Sequence, residues 1–339
     1  MPSRTQLPKL PSEHDPGTDA ARARAETLRA PKPALVRVGG TAIHFGTASW
    51  TDPTLLKPGV FYPDRATSPE ARLKYYASVF SVVEVDSSYY ALPTPRMAEL
   101  WVERTPDDFV FDVKAFAWMT GHATDPERLP RRLKDALPDE LLSKKNLYAK
   151  DVSREVRDEA WRLFVDAVRP LHAVNKLGAV FLQYPSWVRP AEHSAEMLAR
   201  ARRRLGDLPI AVEFRHGDWL SRSHRERTLA MLRENGMSYV IVDEPQGFAS
   251  SVPPATAVTS PGLAVVRMHG HRAETWEKRG TPVVERFRYL YDEKELESWV
   301  PKVVEIAGES EQVHVVFNNC YGNYGTTNAM QMAALVRGA

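Results

Sequence analysis

Short runs rich in β-branched and aromatic residues recur from one end of this chain to the other, with helical stretches between most of them. They are "IHFGTAS" from Ile43, "VVEVDSS" from Val82, "FVFDVKA" from Phe109, "GAVFLQY" from Gly178, "IAVEFRH" from Ile210, "SYVIVD" from Ser238, "LAVVRMHG" from Leu263 and "VHVVFNN" from Val313. The intervening "SPEARLKYYASVF" has a serine N-cap, Ser68, followed by Pro69 and Glu70. "SREVRDEAWRLFVDAVRPLHA" places Val156, Ala160, Leu163, Phe164 and Ala167 at helical spacing. "AEHSAEMLARARRRLG" and "RERTLAMLRENG" each end in glycine after a basic last turn.

Eight such units fit an α/β fold, a closed (β/α)8 TIM-type barrel, for which ~250 residues is typical before insertions. An open doubly wound sheet is the alternative, and it ordinarily carries G-x-G-x-x-G after its first strand. Here the first strand runs into "GTASWTD", with a single glycine. The barrel is therefore expected over residues 41–339 as a single domain, and residues 117–153, in the longest connection, as an inserted lid-like segment. Residues 1–40, rich in Pro, Ala and Arg, read as a flexible tail whose Arg22, Arg24 and Arg29 are solvated.

A hydrophobic fraction of 43% is ample for a large core, and the 45 basic and 43 acidic residues leave a net charge of only +2. That near-balance gives no whole-chain footprint for nucleic acid or an anionic membrane, so any such binding must come from a local patch. The single cysteine, Cys320, excludes an intramolecular disulfide and Cys-rich zinc or iron–sulfur sites, and suits a reducing compartment. No apolar run approaches the roughly 18 residues of a membrane span, and the first residues have no apolar h-region. A cytoplasmic protein without a membrane partner is expected; the oligomeric state is not written in the sequence.

The fifth run begins as a strand buried deeply enough to want only apolar residues, yet it ends in Glu213, Arg215 and His216. A barrel explains this, because chemistry is housed at the carboxyl ends of its strands. Period 2 puts Glu84, Asp86 and Ser88 on one face of the second strand, Asp112 with Lys114 on the third, and Glu213 with Arg215 on the fifth. Arg267 shares a face with His269, and His314 with Asn318, while Gln183 and Asp243 close the fourth and sixth strands. Some of these charges must neutralise one another as buried pairs, Glu84 or Glu213 against Arg215 or Arg267.

The chemistry available is varied. Lys114 suits a Schiff-base nucleophile, a general base or an anion clamp. Glu84 and Glu213 suit acid–base work, and Arg215 and Arg267 suit bidentate grip on carboxylate or phosphate. A divalent metal, were one bound, would draw on Glu84, Asp86, Glu213 and His269, although no H-x-H or H-E-x-x-H motif is present. Aromatics crowd the same rim, Trp50, Tyr89, Tyr90, Trp187 and Trp219 among them, and would suit a sugar ring, a nucleobase or single-stranded nucleic acid.

Taken in order, "FGTASW", "LKYYASVFSVVEVDSSYYALP", "TPDDFVFDVKAF", "AVFLQYPSW", "AVEFRHGDW", "VVRMHG" and "VVFNNCYGNYG" resemble the YecE-like family of uncharacterised proteins, a domain-of-unknown-function family. The resemblance spans residues 43–330 and implies a TIM-type barrel similar to those of endonuclease IV and the sugar isomerases. It also implies that Glu84, Asp86, Ser88, Lys114, Gln183, Glu213, Arg215, His216, Arg267, His269, Asn318 and Asn319 line the mouth. Where many members have asparagine, this chain has Asp86, whose extra negative charge alters ligand polarity or recruits a cation.

The expectation is an enzyme acting on a small polar anionic substrate, sugar-like or phosphorylated, with Lys114, Glu84 and Glu213 catalytic and Trp50 and Tyr90 among the binding residues. The alternatives are an endonuclease IV-like nucleic-acid repair protein and a non-catalytic metabolite binder.

Overall fold

The computed structural model describes residues 24–25 and 34–339. The tail expected over residues 1–40 thus falls, as far as residue 33 and apart from Arg24 and Ala25, outside the described residues. From Leu35 the chain is a strand instead. β1 (Leu35–Val38) pairs antiparallel with the start of β2 (Thr41–Ala48) across a turn at Gly39 and Gly40, whose φ values are 55° and 97°. Two glycines between β-branched runs are a hairpin signal. The four residues "LVRV" are too short to stand out beside the composition of what precedes them.

All eight expected runs are strands of one closed parallel sheet. They are β2, β3 (Val82–Val85), β4 (Val110–Lys114), β7 (Leu177–Gln183), β8 (Ile210–Glu213), β9 (Ser238–Asp243), β10 (Ala264–Met268) and β11 (Gln312–Phe317). Pairing of β2 with both β3 and β11 closes the barrel. Between β4 and β7 lies the long insertion, which holds the two-stranded hairpin β5 (Ala123–Thr124) and β6 (Leu147–Tyr148) with several single-turn helices. Strands such as "VVEV" and "IAVE" are wholly buried because helices cover their outer face and barrel side chains fill the inner one.

The helices start where the sequence offers caps. Ser68, Thr94 and Ser153 accept from backbone amides at the starts of α1 (Pro69–Val79), α2 (Pro95–Glu103) and α3 (Arg154–Ala173), two of which have proline in their first turn. α4 (Ser194–Leu205) and α5 (Arg225–Glu234) follow β7 and β8. α6 (Glu293–Gly308) opens on a reciprocal Asp292–Glu295 capping box, and α7 (Tyr324–Gly338) ends the chain.

Inside the barrel, below the mouth, sits a buried polar group. His314 Nδ1 lies 3.0 Å from both carboxylate oxygens of Asp112, and the His44 ring meets His314 edge-on at 5.4 Å. Burial, reinforced by His314, lowers the His44 pKa to about 3, so that ring is neutral. Gly178 makes room for the pair, since a Cβ there would fall 2.5 Å from both Asp112 Oδ1 and His314 Cε1. Gly178→Ala is therefore expected to destabilise the fold by about 1–3 kcal/mol through overpacking. Equal urea midpoints for variant and wild type would show that the interior relaxes around the methyl group.

Candidate functional site

The strand ends converge on one guanidinium. Arg267, on β10 and almost wholly buried, grips Glu84 of β3 with Nε and one terminal nitrogen at 2.8 Å each, and gives the other terminal nitrogen to Glu213 of β8 at 2.9 Å. The remaining Glu213 oxygen accepts from Gln183 Nε2 at 2.7 Å and from Arg215 at 3.2 Å. Burial alone would raise the Glu213 pKa, but the charge of Arg267, with His269 next, holds it well below the usual carboxylate range. Burial works against charge on Arg267 too, and Glu213 and Glu84 overcome it. Glu213 and Arg267 stay ionised.

His269 stands beside this triad with its pKa lowered to about 3 by burial. The ring is neutral, so its 3.4 Å approach to Glu213 is a hydrogen bond rather than an ion pair, and Asn318 Nδ2 donates to its other nitrogen at 2.9 Å. Arg215 carries the charge outward. Its guanidinium stacks over Trp276 at 4.6 Å and reaches Glu244 at 3.2 Å, whose carboxyl burial pushes up to about 7.

Above the triad opens a cavity of about 650 Å³, within the range of small-molecule sites. Lys114, Gln183, Arg215, Arg267 and Asn318 line its strand-end floor, Asp52 and Asp86 one side, and Trp276, Arg279, Arg286 and Phe287 the other. Lys114 Nζ sits 5.1 Å over the Tyr89 ring and has no hydrogen bond or ion pair among the described residues. Burial, then the Arg267 charge, lowers its pKa, while the nearby carboxylates pull the other way. Asp86 is pushed up to about 6 by burial and by Glu84. A carboxyl raised from 3.8 in this way makes the fold less stable once ionised.

The sign is plain: below about pH 4 the group is protonated in both states, and its penalty grows as pH rises to about 6 and then levels off. Asp86→Asn is therefore expected to raise stability by up to about 3 kcal/mol at pH 8 and to match wild type at pH 4. A variant no more stable at pH 8 would place Asp86 in an environment that welcomes its charge.

Several sequence-derived site residues lie elsewhere. Glu84 and Glu213 sit beneath the cavity, both with their oxygens taken up by Arg267 and its neighbours. β3 ends at Val85 and a single helical turn follows, so Ser88 leaves the face of Glu84 and its hydroxyl binds the carbonyls of Val85 and Lys114. His216 caps the turn after β8 by accepting from Asp218 N at 3.1 Å. Asn319 braces Tyr289 and Asn328 behind the wall. Trp50 packs edge-on against Trp101, and its carbonyl accepts from Tyr62.

Tyr90 does line the cavity, 46% exposed, as does Trp187 at 61%, with His122 and Tyr89 between them in edge contacts of 4.9 to 5.4 Å. His122 is the insertion's contribution to the mouth. Among the described residues no group of three or more His, Cys, Asp or Glu is placed to hold a metal ion. Of the four ligands the sequence suggested, Glu84 and Glu213 have the Arg267 guanidinium where a cation would sit.

Trp276, Phe287, Asp52 and Ser250 line the cavity from loops, beyond the reach of strand periodicity, and so do Arg279 and Arg286, whose basic loop after the seventh strand the sequence offers for the nucleic-acid reading. For Trp276, Arg279, Arg286 and Phe287 the signal in the sequence is the irregular stretch after β10, which lacks a helical pattern.

A parallel barrel with its polar strand ends gathered under one cavity defines a TIM-type α/β protein with a cavity at its C-terminal mouth. The chain belongs to a family described as "Protein of unknown function DUF72", whose model matches residues 44–339. It is 30% identical to UPF0759 protein YunF of Bacillus subtilis over 297 residues, covering 87% of this chain and 94% of YunF. It is 26% identical to UPF0759 protein YecE of Escherichia coli (strain K12), over 59% of each. A crystal structure of a DUF72 family protein from Enterococcus faecalis V583 superposes with a TM-score of 0.69 at 27% identity, over 87% of this chain and 95% of that one. No described helix is long and apolar enough to cross a membrane.

Proposed function

We propose that the mouth cavity takes a small anionic carbonyl compound, sugar-like or phosphorylated, and that Lys114 is the group that reacts with it. The observation that carries this is an amine left without hydrogen bond or ion pair in a cavity where every other strand-end cation is engaged. A lysine whose pKa is lowered holds more of the neutral form, which is the nucleophile. Asp86, with a pKa of about 6, is a matching proton source. Arg286 is the anion partner: it makes no ion pair among the described residues, and its Nε is buried without a hydrogen bond.

The step balances simply. The Lys114 nitrogen bonds to the carbonyl carbon, one amine proton and one proton from Asp86 pass to the carbonyl oxygen, and water leaves an iminium. Borohydride reduction in the presence of keto acids and sugar phosphates tests it. A mass adduct confined to the Lys114 peptide is the expected result; no adduct and no ligand-induced thermal shift with any of the panel would overturn it. Saturable binding without adduct or turnover would instead indicate a metabolite binder.

A nucleic-acid reading has its own support in the two exposed rings, Tyr90 and Trp187, standing over the cavity with Arg279 nearby. Its signature is binding of a single-stranded or abasic oligonucleotide that weakens steeply with salt. Absence of binding at low salt would retire it.

A further inference from the structure

A second cavity, of about 960 Å³, opens on the flank of the barrel between α3 and α4. The loop after β4 and Tyr184, which lines both cavities, stand between it and the mouth: Trp118 and Met119 line the flank cavity, while His122 lines the mouth. Its rim is cationic, with Lys150, Arg154, Arg157, Arg200, Arg203 and Arg204. Two carboxylates answer these six charges. Asp158 takes Arg154 and Arg204, and Glu196 takes Arg203 at 2.6 Å and Arg200 at 3.8 Å. Lys150 and Arg157 have no carboxylate partner among the described residues, and there the Arg157 guanidinium donates only to the Ala149 carbonyl.

The floor of this cavity is apolar. Trp118 and Met119 are buried there, with half-buried Trp161 and Met197 beside them. Arg204 lies over the Trp161 ring at 5.5 Å, so aromatic surface and positive charge are adjacent. A ligand complementary to this arrangement has a planar apolar part and two or more negative charges a few ångströms away. The whole chain carries only +2, so the excess is local and no broad field accompanies it to favour a long polyanion. The volume lies within the range of sites for single small molecules.

We infer that the flank cavity is a second binding site, separate from the mouth, and that it takes a nucleoside di- or triphosphate with its base on the Trp161–Met197 surface and its phosphates on Lys150 and Arg157. The inference stands on the groove alone and survives or fails independently of Lys114 chemistry.

Calorimetric titration of the full chain with ADP at low ionic strength tests it. One saturable site is expected, weakened about tenfold or more in Arg157→Glu and in Lys150→Glu, and unchanged in Lys114→Met. Lys150 is exposed, so its variant keeps the test valid if loss of the Arg157–Ala149 bond loosens the insertion. Several results would overturn the inference: no saturable binding, binding indifferent to both reversals, or binding lost in Lys114→Met. Pyrophosphate binding as tightly as ADP would reduce the groove to a plain anion site, and a single-stranded oligonucleotide binding more tightly than ADP would assign it to nucleic acid; either also overturns it.

Discussion

Arg267→Met should lower the unfolding free energy by about 3–5 kcal/mol, because it leaves wholly buried Glu84 with no ion pair among the described residues and wholly buried Glu213 with Arg215 alone. The ion triad spans β3, β8 and β10, so its loss strikes three strands that are not neighbours in the sheet. Without Arg267 the pKa of Glu213 should rise above its unfolded value, since only His269 and Arg215 are left to oppose burial. Protons then favour the folded variant, and its deficit should shrink as pH falls from 8 towards 5. The triple variant Glu84→Gln, Glu213→Gln, Arg267→Met should recover much of the loss, because none of the triad's buried charges remains to be satisfied. Urea titrations at the two pH values decide the matter. A single variant as stable as wild type at pH 8 would mean that water reaches the triad and that its charges are not truly enclosed.

The same residues mark how far the sequence can be read. All eight strands were legible because each is a compact apolar run bounded by turn residues and capped helices, and a parallel barrel needs nothing more from local pattern. The convergence of charges at the carboxyl ends was legible for the same reason. What period 2 could not supply was where each strand stops. β3 ends at Val85, one residue before Asp86, so Ser88 rotates away from Glu84 into a helical turn. Nor could it rank depth: Glu84 and Glu213 resemble mouth residues in sequence, yet Arg267 lies between them and holds them below the floor. Arg286 and Trp276 reach the cavity from a loop with no periodicity to follow. Their role depends on how that loop folds back, which is decided by tertiary packing and not by local preference.

Lys114 should titrate below the ordinary lysine value. Its amine is lowered by burial and then by Arg267, so at any pH from 7 to 9 a larger fraction is neutral, tenfold more for each unit of displacement. Trace acetylation with isotope-coded anhydride, read peptide by peptide across pH, reports that fraction directly. The expected curve for Lys114 has its midpoint below the ordinary lysine value of ~10.4. The neighbours supply a second, signed check. Asp86 raises the Lys114 pKa, so Asp86→Asn should move the midpoint further down. An upward move would contradict the geometry, and a Lys114 that titrates with the exposed lysines would remove the neutral amine on which the proposed carbonyl chemistry depends. Lys114→Met should abolish any reducible adduct while leaving the fold intact, since the side chain makes no hydrogen bond or ion pair among the described residues whose loss would strand a buried partner.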